Sequence, residues 1–357
     1  MENKKKKNPA LRIIGIILLI LIAAFILCCI IWHRAAYVTF KNLTVEKYDL
    51  DETAPDDWKG GKMYLNVPYA EDSDSQYVDI YVPDSGYEGE APQLFVMIHG
   101  GGFVFNDSRS RQAMLMYRYF RDHGYACASI NYRLAQEAEY PGAISDCKAA
   151  IRFLKAHAEE YGYTAEKVPV WGESAGGYLA VMCGVTGDDV YDEVSFIGKD
   201  ENPDITSDVD VVVDYYGHID HRGQDDDYKK LGIPKIIHTL ANSWLSGDVT
   251  GGYEDVESFW FRKNVSEMTE EEYNETSIHA WIDKTDTLAD AFLIIHGDCD
   301  ITVPYNHSER LYEHLQEYLP AEDLEYDLIP DMGHASDPLF SDEILSGVDR
   351  FLKEKLN

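Results

Sequence analysis

The chain has 357 residues and a formal net charge of -33, with 45% hydrophobic and 12% aromatic residues. It can bury a large core, as one α/β unit or at most about two domains. The acidic balance repels nucleic acid and anionic lipid headgroups, so a nucleic-acid partner is excluded and the plain reading is a solvated acidic coat.

The N-terminus stands apart. Lys4, Lys5, Lys6, Lys7 and Arg12 precede an unbroken apolar run over residues 13–32. Such a run spans about 30 Å as a helix, enough for one bilayer crossing. A cleavable secretory leader has a shorter apolar region and a small-x-small site. Here the run is longer, and His33-Arg34-Ala35-Ala36 is a poor site. The reading is an uncleaved signal anchor with its basic cluster in the cytoplasm and the remainder at the cell surface. Residues 1–12 are then a tail, 13–32 a transmembrane helix, 33–62 a tether and 63–357 the globular unit.

An edge strand is expected over 63–68 and a further strand over 76–83, which alternates apolar and polar residues as QYVDIYVP. Residues 94–98 form a continuous apolar run, which marks a central strand covered on both faces. A helix over 109–123, a strand over 125–132, a loop over 133–141 and a helix over 143–161 follow. The apolar run 168–171 is the next strand, and residues 175–185 the next helix. Residues 188–208 are acidic and irregular, and 209–216 is again a strand.

Residues 218–290 break this rhythm. They are charged and carry Trp244, Trp260, Phe261, Tyr273 and Trp281, as an inserted cap over the strand ends would. The rhythm resumes with a strand at 292–297, a helix at 305–318, a strand at 324–329 and a helix at 338–352. Strands alternating with helices imply an α/β fold: a mostly parallel sheet with helices on both faces, and a ligand site at the carboxyl ends of its strands.

Cys28 and Cys29 lie in the apolar run, and Cys127, Cys147, Cys183 and Cys299 in separate elements. No metal-ligand spacing is present, and buried free thiols are the preferred state.

The chemistry centres on GESAGG at 172–177, where a strand runs into a helix. Gly172 and Gly176 permit a turn sharp enough to expose the Ser174 hydroxyl. The Ala175 amide stands at a helix N-terminus, where it can stabilise negative charge. A serine needs a base, and the base an orienting acid. Asp298 and Asp300 follow the strand at 292–297, and His334 follows the last strand. His334 is preferred over His279, His296, His307 and His314, because it alone sits on that last loop after a glycine. The glycines of HGGGF at 99–103 let backbone amides approach a ligand closely.

HGGGF at 99–103, NYRL at 131–134, GESAGG at 172–177, HGDCDITVP at 296–304 and GH at 333–334 together resemble the α/β-hydrolase fold. Within it the chain is most similar to carboxylesterases of the hormone-sensitive-lipase-like and acetyl- or feruloyl-esterase-like branch. The resemblance covers residues 63–357 less the cap and the 186–208 segment. It implies Ser174 as nucleophile, Asp300 rather than Asp298 as acid, His334 as base, and Gly101, Gly102 and Ala175 as oxyanion hole. The helical lid of the lipase-like members is absent, with an anchor in its place, and the cap is large and acidic.

These readings converge on a serine carboxylesterase needing no metal or organic cofactor, acting on short acyl esters of carbohydrate or small alcohols. A serine peptidase of the same fold and a non-catalytic surface binding protein are the alternatives. Nothing marks a propeller or amine-binding module for the first, and the second would be expected to have lost a catalytic residue.

Overall fold

The computed structural model describes residues 60–232 and 250–356, with Ile22 alone before them. The transmembrane helix read over 13–32 therefore lies outside the described residues, Ile22 excepted. So do nearly all of the tether and residues 233–249 of the cap, which include Trp244. Among the described residues no helix is long and apolar enough to cross a membrane.

The described strands form one eight-stranded sheet in the order β1-β2-β4-β3-β5-β6-β7-β8. They are β1 (Gly61–Pro68), β2 (Tyr77–Pro83), β3 (Gln93–Ile98), β4 (Tyr125–Asn131), β5 (Pro169–Glu173), β6 (Val211–Tyr215), β7 (Ala291–Gly297) and β8 (Leu324–Ile329). β1 and β2 pair antiparallel at one edge, and β3 to β8 run parallel. Every residue of β4, β5, β6 and β7 is buried, as the unbroken apolar runs require when helices cover both faces.

Alternation along the strands sorts side chains into two cores. Val96, Ile98, Val170, Val212 and Ile294 point to one face. Beneath it lie α2 (Gly142–Ala156), α3 (Ala175–Val185) and α8 (Asn306–Leu315). Phe95, Met97, Trp171, Val213 and Leu293 point to the other face. There they meet α1 (Arg111–Asp122) and α9 (Asp342–Leu356). Ser110 caps α1, its hydroxyl accepting the Ala113 amide.

Two helices depart from the pattern expected of them. The helix anticipated over 143–161 stops at His157, whose backbone leaves helical geometry, and a single further turn ends at left-handed Gly162. The C-terminal helix begins only at Asp342. Before it, Asp337–Phe340 forms a 3-10 turn, tied down by the Arg111–Asp337 ion pair. Cys127, Cys147 and Cys183 are buried thiols outside any disulfide among the described residues, and Cys299 is buried too.

Topology places the site. From β3 the chain crosses to α1 on one face, and from β5 to α3 on the other. β3 and β5 are neighbours, with Ile98 opposite Gly172. The loops after these strands therefore diverge from a common crevice, the switch point at which open α/β sheets bind ligands.

The cap closes over this crevice with α4 (Gln224–Lys230), α5 (Val256–Phe261), α6 (Glu270–Thr276) and α7 (Ile278–Ile282). The Trp260 ring stacks on Phe103 at 3.9 Å, and Tyr178 packs edge-on against both. The cap aromatics thus reach into the main core rather than lying on a surface loop. Trp260→Ala should cost about 3–5 kcal/mol, read as a lower urea midpoint for the full chain in detergent.

Candidate active site

The turn after β5 is strained. Ser174 has φ 55° and ψ -119°, a conformation costing about 1–3 kcal/mol for a residue with a side chain. Packing holds it there. A Cβ on Gly172 would collide with the Gly176 carbonyl, and one on Gly176 with the carbonyls of Ile98 and His99. Only glycine lets the start of α3 press against the end of β3. The Ser174 amide donates to the Tyr215 carbonyl at 2.9 Å, which extends the ladder with β6 by one bond.

Three strand ends converge above this turn. The Ser174 hydroxyl donates to His334 Nε2 at 3.0 Å. His334 Nδ1–H donates to Asp300 Oδ2 at 2.6 Å. The amides of Thr302 and Val303 donate to Asp300 Oδ1 at 2.8 and 2.9 Å, so the carboxylate is fixed from both sides. Burial works against charge on Asp300, but the His334 and His296 imidazoles more than offset it and hold the carboxyl far below its ordinary range. Burial likewise pulls His334 down, and the Asp300 carboxylate overcomes this and raises it.

The rival residues make other contacts, although His296 also lies 3.3 Å from Asp300 Oδ2. Asp298 Oδ1 accepts the Asp331 amide at 2.7 Å and braces the β8 loop against the β7 loop. His296 is fully buried, bonded to Ser308 Oγ and to the Val303 carbonyl. The rings of His279 and His314 bond to each other, and His307 Nδ1 accepts the Asp220 amide. Asp298, Cys299 and Asp331 are the described trio whose ligand-capable atoms lie within 4.8 Å of one another. The Asp331 amide donates to Asp298 and the Cys299 amide to the Met332 carbonyl, so these residues tie the two loops together.

The loop after β3 is built to keep amides available. Gly101 and Gly102 have φ of 116° and 57°. Among the described residues neither donates to a backbone carbonyl. His99 is not part of the chemistry. Its ring stacks on Tyr132 at 4.3 Å, and burial lowers its pKa to about 4. The Tyr132 hydroxyl donates to the His99 carbonyl at 2.9 Å, and Arg133 forks onto the buried Asp146 carboxylate. The NYRL segment thus holds the glycine loop in place.

Two neighbours of the site escaped sequence reasoning. Glu173 is almost wholly buried and accepts the Gly100 amide at 2.7 Å, joining the serine turn to the glycine loop. Burial raises its pKa to about 7. Tyr216, at φ 43°, lays its ring edge-on against His334 at 4.8 Å. The signal for Glu173 was present: a carboxylate as the last residue of a central strand has only the neighbouring strand's loop to face.

A family model described as BD-FAE, of the α/β-hydrolase fold, matches residues 78–315. The chain belongs to the BD-FAE family. The matched span takes in the glycine loop, Ser174 and Asp300, while His334 lies beyond it. The chain is 25% identical over 293 residues to a probable carboxylic ester hydrolase, LipM, of Mycobacterium tuberculosis, covering 81% of this chain and 60% of that protein. It is 37% identical over 90 residues to an acetyl esterase of Salmonella schwarzengrund, covering 25% of this chain and 27% of that one. This chain thus spans about 60% of the length of the first of these relatives. Among solved structures, a truncated carbohydrate esterase from gut microbiota superposes with a TM-score of 0.65 at 24% identity, covering 85% of this chain and all of that one.

Glu173 bears on the proton affinity of His334. Its carboxylate favours the charged imidazole, so Glu173→Gln should lower the pH at which His334 titrates, by up to about one unit. NMR of histidine-labelled protein reads this directly.

Proposed function

We propose that this chain is a serine carboxylesterase whose nucleophile is Ser174. The observation that carries the reading is the continuous relay from Ser174 through His334 to a buried Asp300, at 3.0 and 2.6 Å. Ser174 Oγ attacks the ester carbonyl while His334 Nε2 takes its proton. The developing oxyanion is stabilised by the amides of Gly101, Gly102 and Ala175. Asp300 orients the imidazole and stabilises its charged form. The intermediate collapses with cleavage of the ester C–O bond. His334 returns the proton to the departing alcohol, leaving Ser174 acylated. Water, deprotonated by His334, then attacks the acyl carbonyl and releases the acid.

Short acyl groups on carbohydrate or small alcohols are the substrate class we favour. The acetyl esterase relative supports the short acyl group. Against bulk lipid, the large apolar side chains exposed among the described residues are scattered: Tyr87, Phe105, Tyr318 and Leu328, beside Ile22. We place the globular part outside the cell, held by the apolar run 13–32 with its basic flank in the cytoplasm. The support for this is the sequence alone.

Nitrophenyl esters of graded acyl length test the activity. Acetyl and propionyl esters should be turned over fastest, and Ser174→Ala should lower turnover on the order of 10⁶-fold. Activity surviving that substitution rejects the assignment. Because His334 acts as a base when neutral, kcat/KM should rise with pH through its raised pKa and fall away on acidification. Topology is read separately: protease added to intact cells should digest the globular part, and protection would reverse the orientation.

A further inference from the structure

A second imidazole–carboxylate pair lies beside the relay, and the mechanism above does not use it. The segment leaving β6 touches both reacting partners. The Tyr216 ring packs on His334, and the His218 amide reaches the Ser174 carbonyl at 3.4 Å. The His218 side chain turns into the cap, where Nδ1 lies 2.8 Å from Glu257 Oε1. Both side chains are largely buried, at 5% and 14% exposure, so water screens the pair weakly.

Glu257 belongs to α5, the cap helix that also bears on the glycine loop. The preceding residue, Val256, sits with Cγ2 3.1 Å from where a Gly102 Cβ would be. One turn on, Trp260 stacks on Phe103. A single short helix therefore rests on the oxyanion loop through apolar contact and is tied to the serine side by an ion pair.

The charges facing His218 come from four directions. Glu257 and Asp255 come from α5 and its cap, and Asp220 and His221 from its own segment. His307 comes from α8, and His334 from the loop after β8. His221 and His307 are held neutral: burial pushes the first down to about 3 and the second well below its ordinary value. Burial opposes charge on His218 too, but Glu257, Asp255 and Asp220 outweigh it, so His218 keeps its proton to higher pH than an ordinary imidazole.

We propose that His218 and Glu257 are positioning residues: the protonated imidazole clamps α5 over the oxyanion loop and the serine turn, and its deprotonation frees the helix and weakens substrate capture. The sign follows from linkage. A histidine whose proton is held more tightly in the folded state contributes fully at low pH, and that contribution is lost as pH rises through its raised value. The kinetic part rests on the esterase reading, since it concerns binding at that same site.

The test uses the full chain in detergent, with nitrophenyl acetate and with amide hydrogen exchange over 256–261 corrected for intrinsic rates. In the native chain kcat/KM should fall several-fold on the alkaline side, and protection of the helix should fall over the same interval. His218→Gln keeps a neutral donor for Glu257, so both alkaline changes should vanish. Glu257→Gln removes the ion pair itself, so the alkaline step should be lost and helix protection should stay low across the range. Protection independent of pH in the native chain overturns the proposal, as does an alkaline limb unmoved in both variants. If the native chain hydrolyses no ester, the esterase reading falls while hydrogen exchange still decides the clamp. If His218→Gln does not fold, the native chain and Glu257→Gln decide it.

Discussion

The site depends on one close approach: the first turn of α3 lies directly against the last carbonyls of β3. Gly176 makes that approach possible, because any Cβ there would occupy the space of the Ile98 and His99 carbonyl groups. The contact fixes the serine turn relative to the glycine loop and sustains the unfavourable backbone of Ser174. A turn free to relax would return Ser174 to an ordinary helix start and withdraw its hydroxyl. Glu173 adds a second tie between the same two loops, through the Gly100 amide.

Electrostatics then assigns different tasks to similar groups. Asp300 and Glu173 are both buried carboxyls near His334, yet one is held ionised and the other pushed up to about 7. The difference lies in their partners. Asp300 faces two imidazoles and accepts two backbone amides, whereas Glu173 has one amide bond and a largely desolvated setting. The imidazoles divide in the same way. His334 and His218 each lie against a carboxylate close enough to outweigh burial, while for His99, His221 and His307 burial prevails.

The cap shares the main core rather than sitting above it. Trp260 and Phe103 come from the insertion and the glycine loop, yet they stack as neighbours, with Tyr178 of α3 against both. Movement of α5 would therefore disturb the loop that carries the proposed oxyanion donors. This coupling is the physical ground for assigning the His218–Glu257 pair a part in substrate capture rather than in surface stability.

By itself the chain of residues determined the strand–helix alternation and the three strand ends that carry Ser174, the Asp298/Asp300 turn and His334. Those are local properties: apolar runs, periodicity and glycine at a tight turn act within a few residues of chain. The basic cluster and apolar run at the N-terminus are legible in the same way, and that reading rests on sequence alone. Tertiary structure decided what depends on contact through space. Asp298 and Asp300 are two residues apart, and residues alone left both open until the family likeness favoured Asp300. In the fold one braces a neighbouring loop and the other meets His334, because the turn between them aims their side chains differently. The burial of Glu173, the ring of Tyr216 on His334 and the reach of Glu257 to His218 join segments tens of residues apart. No periodicity reports such meetings; they exist only once the sheet has fixed which loops share its carboxyl edge.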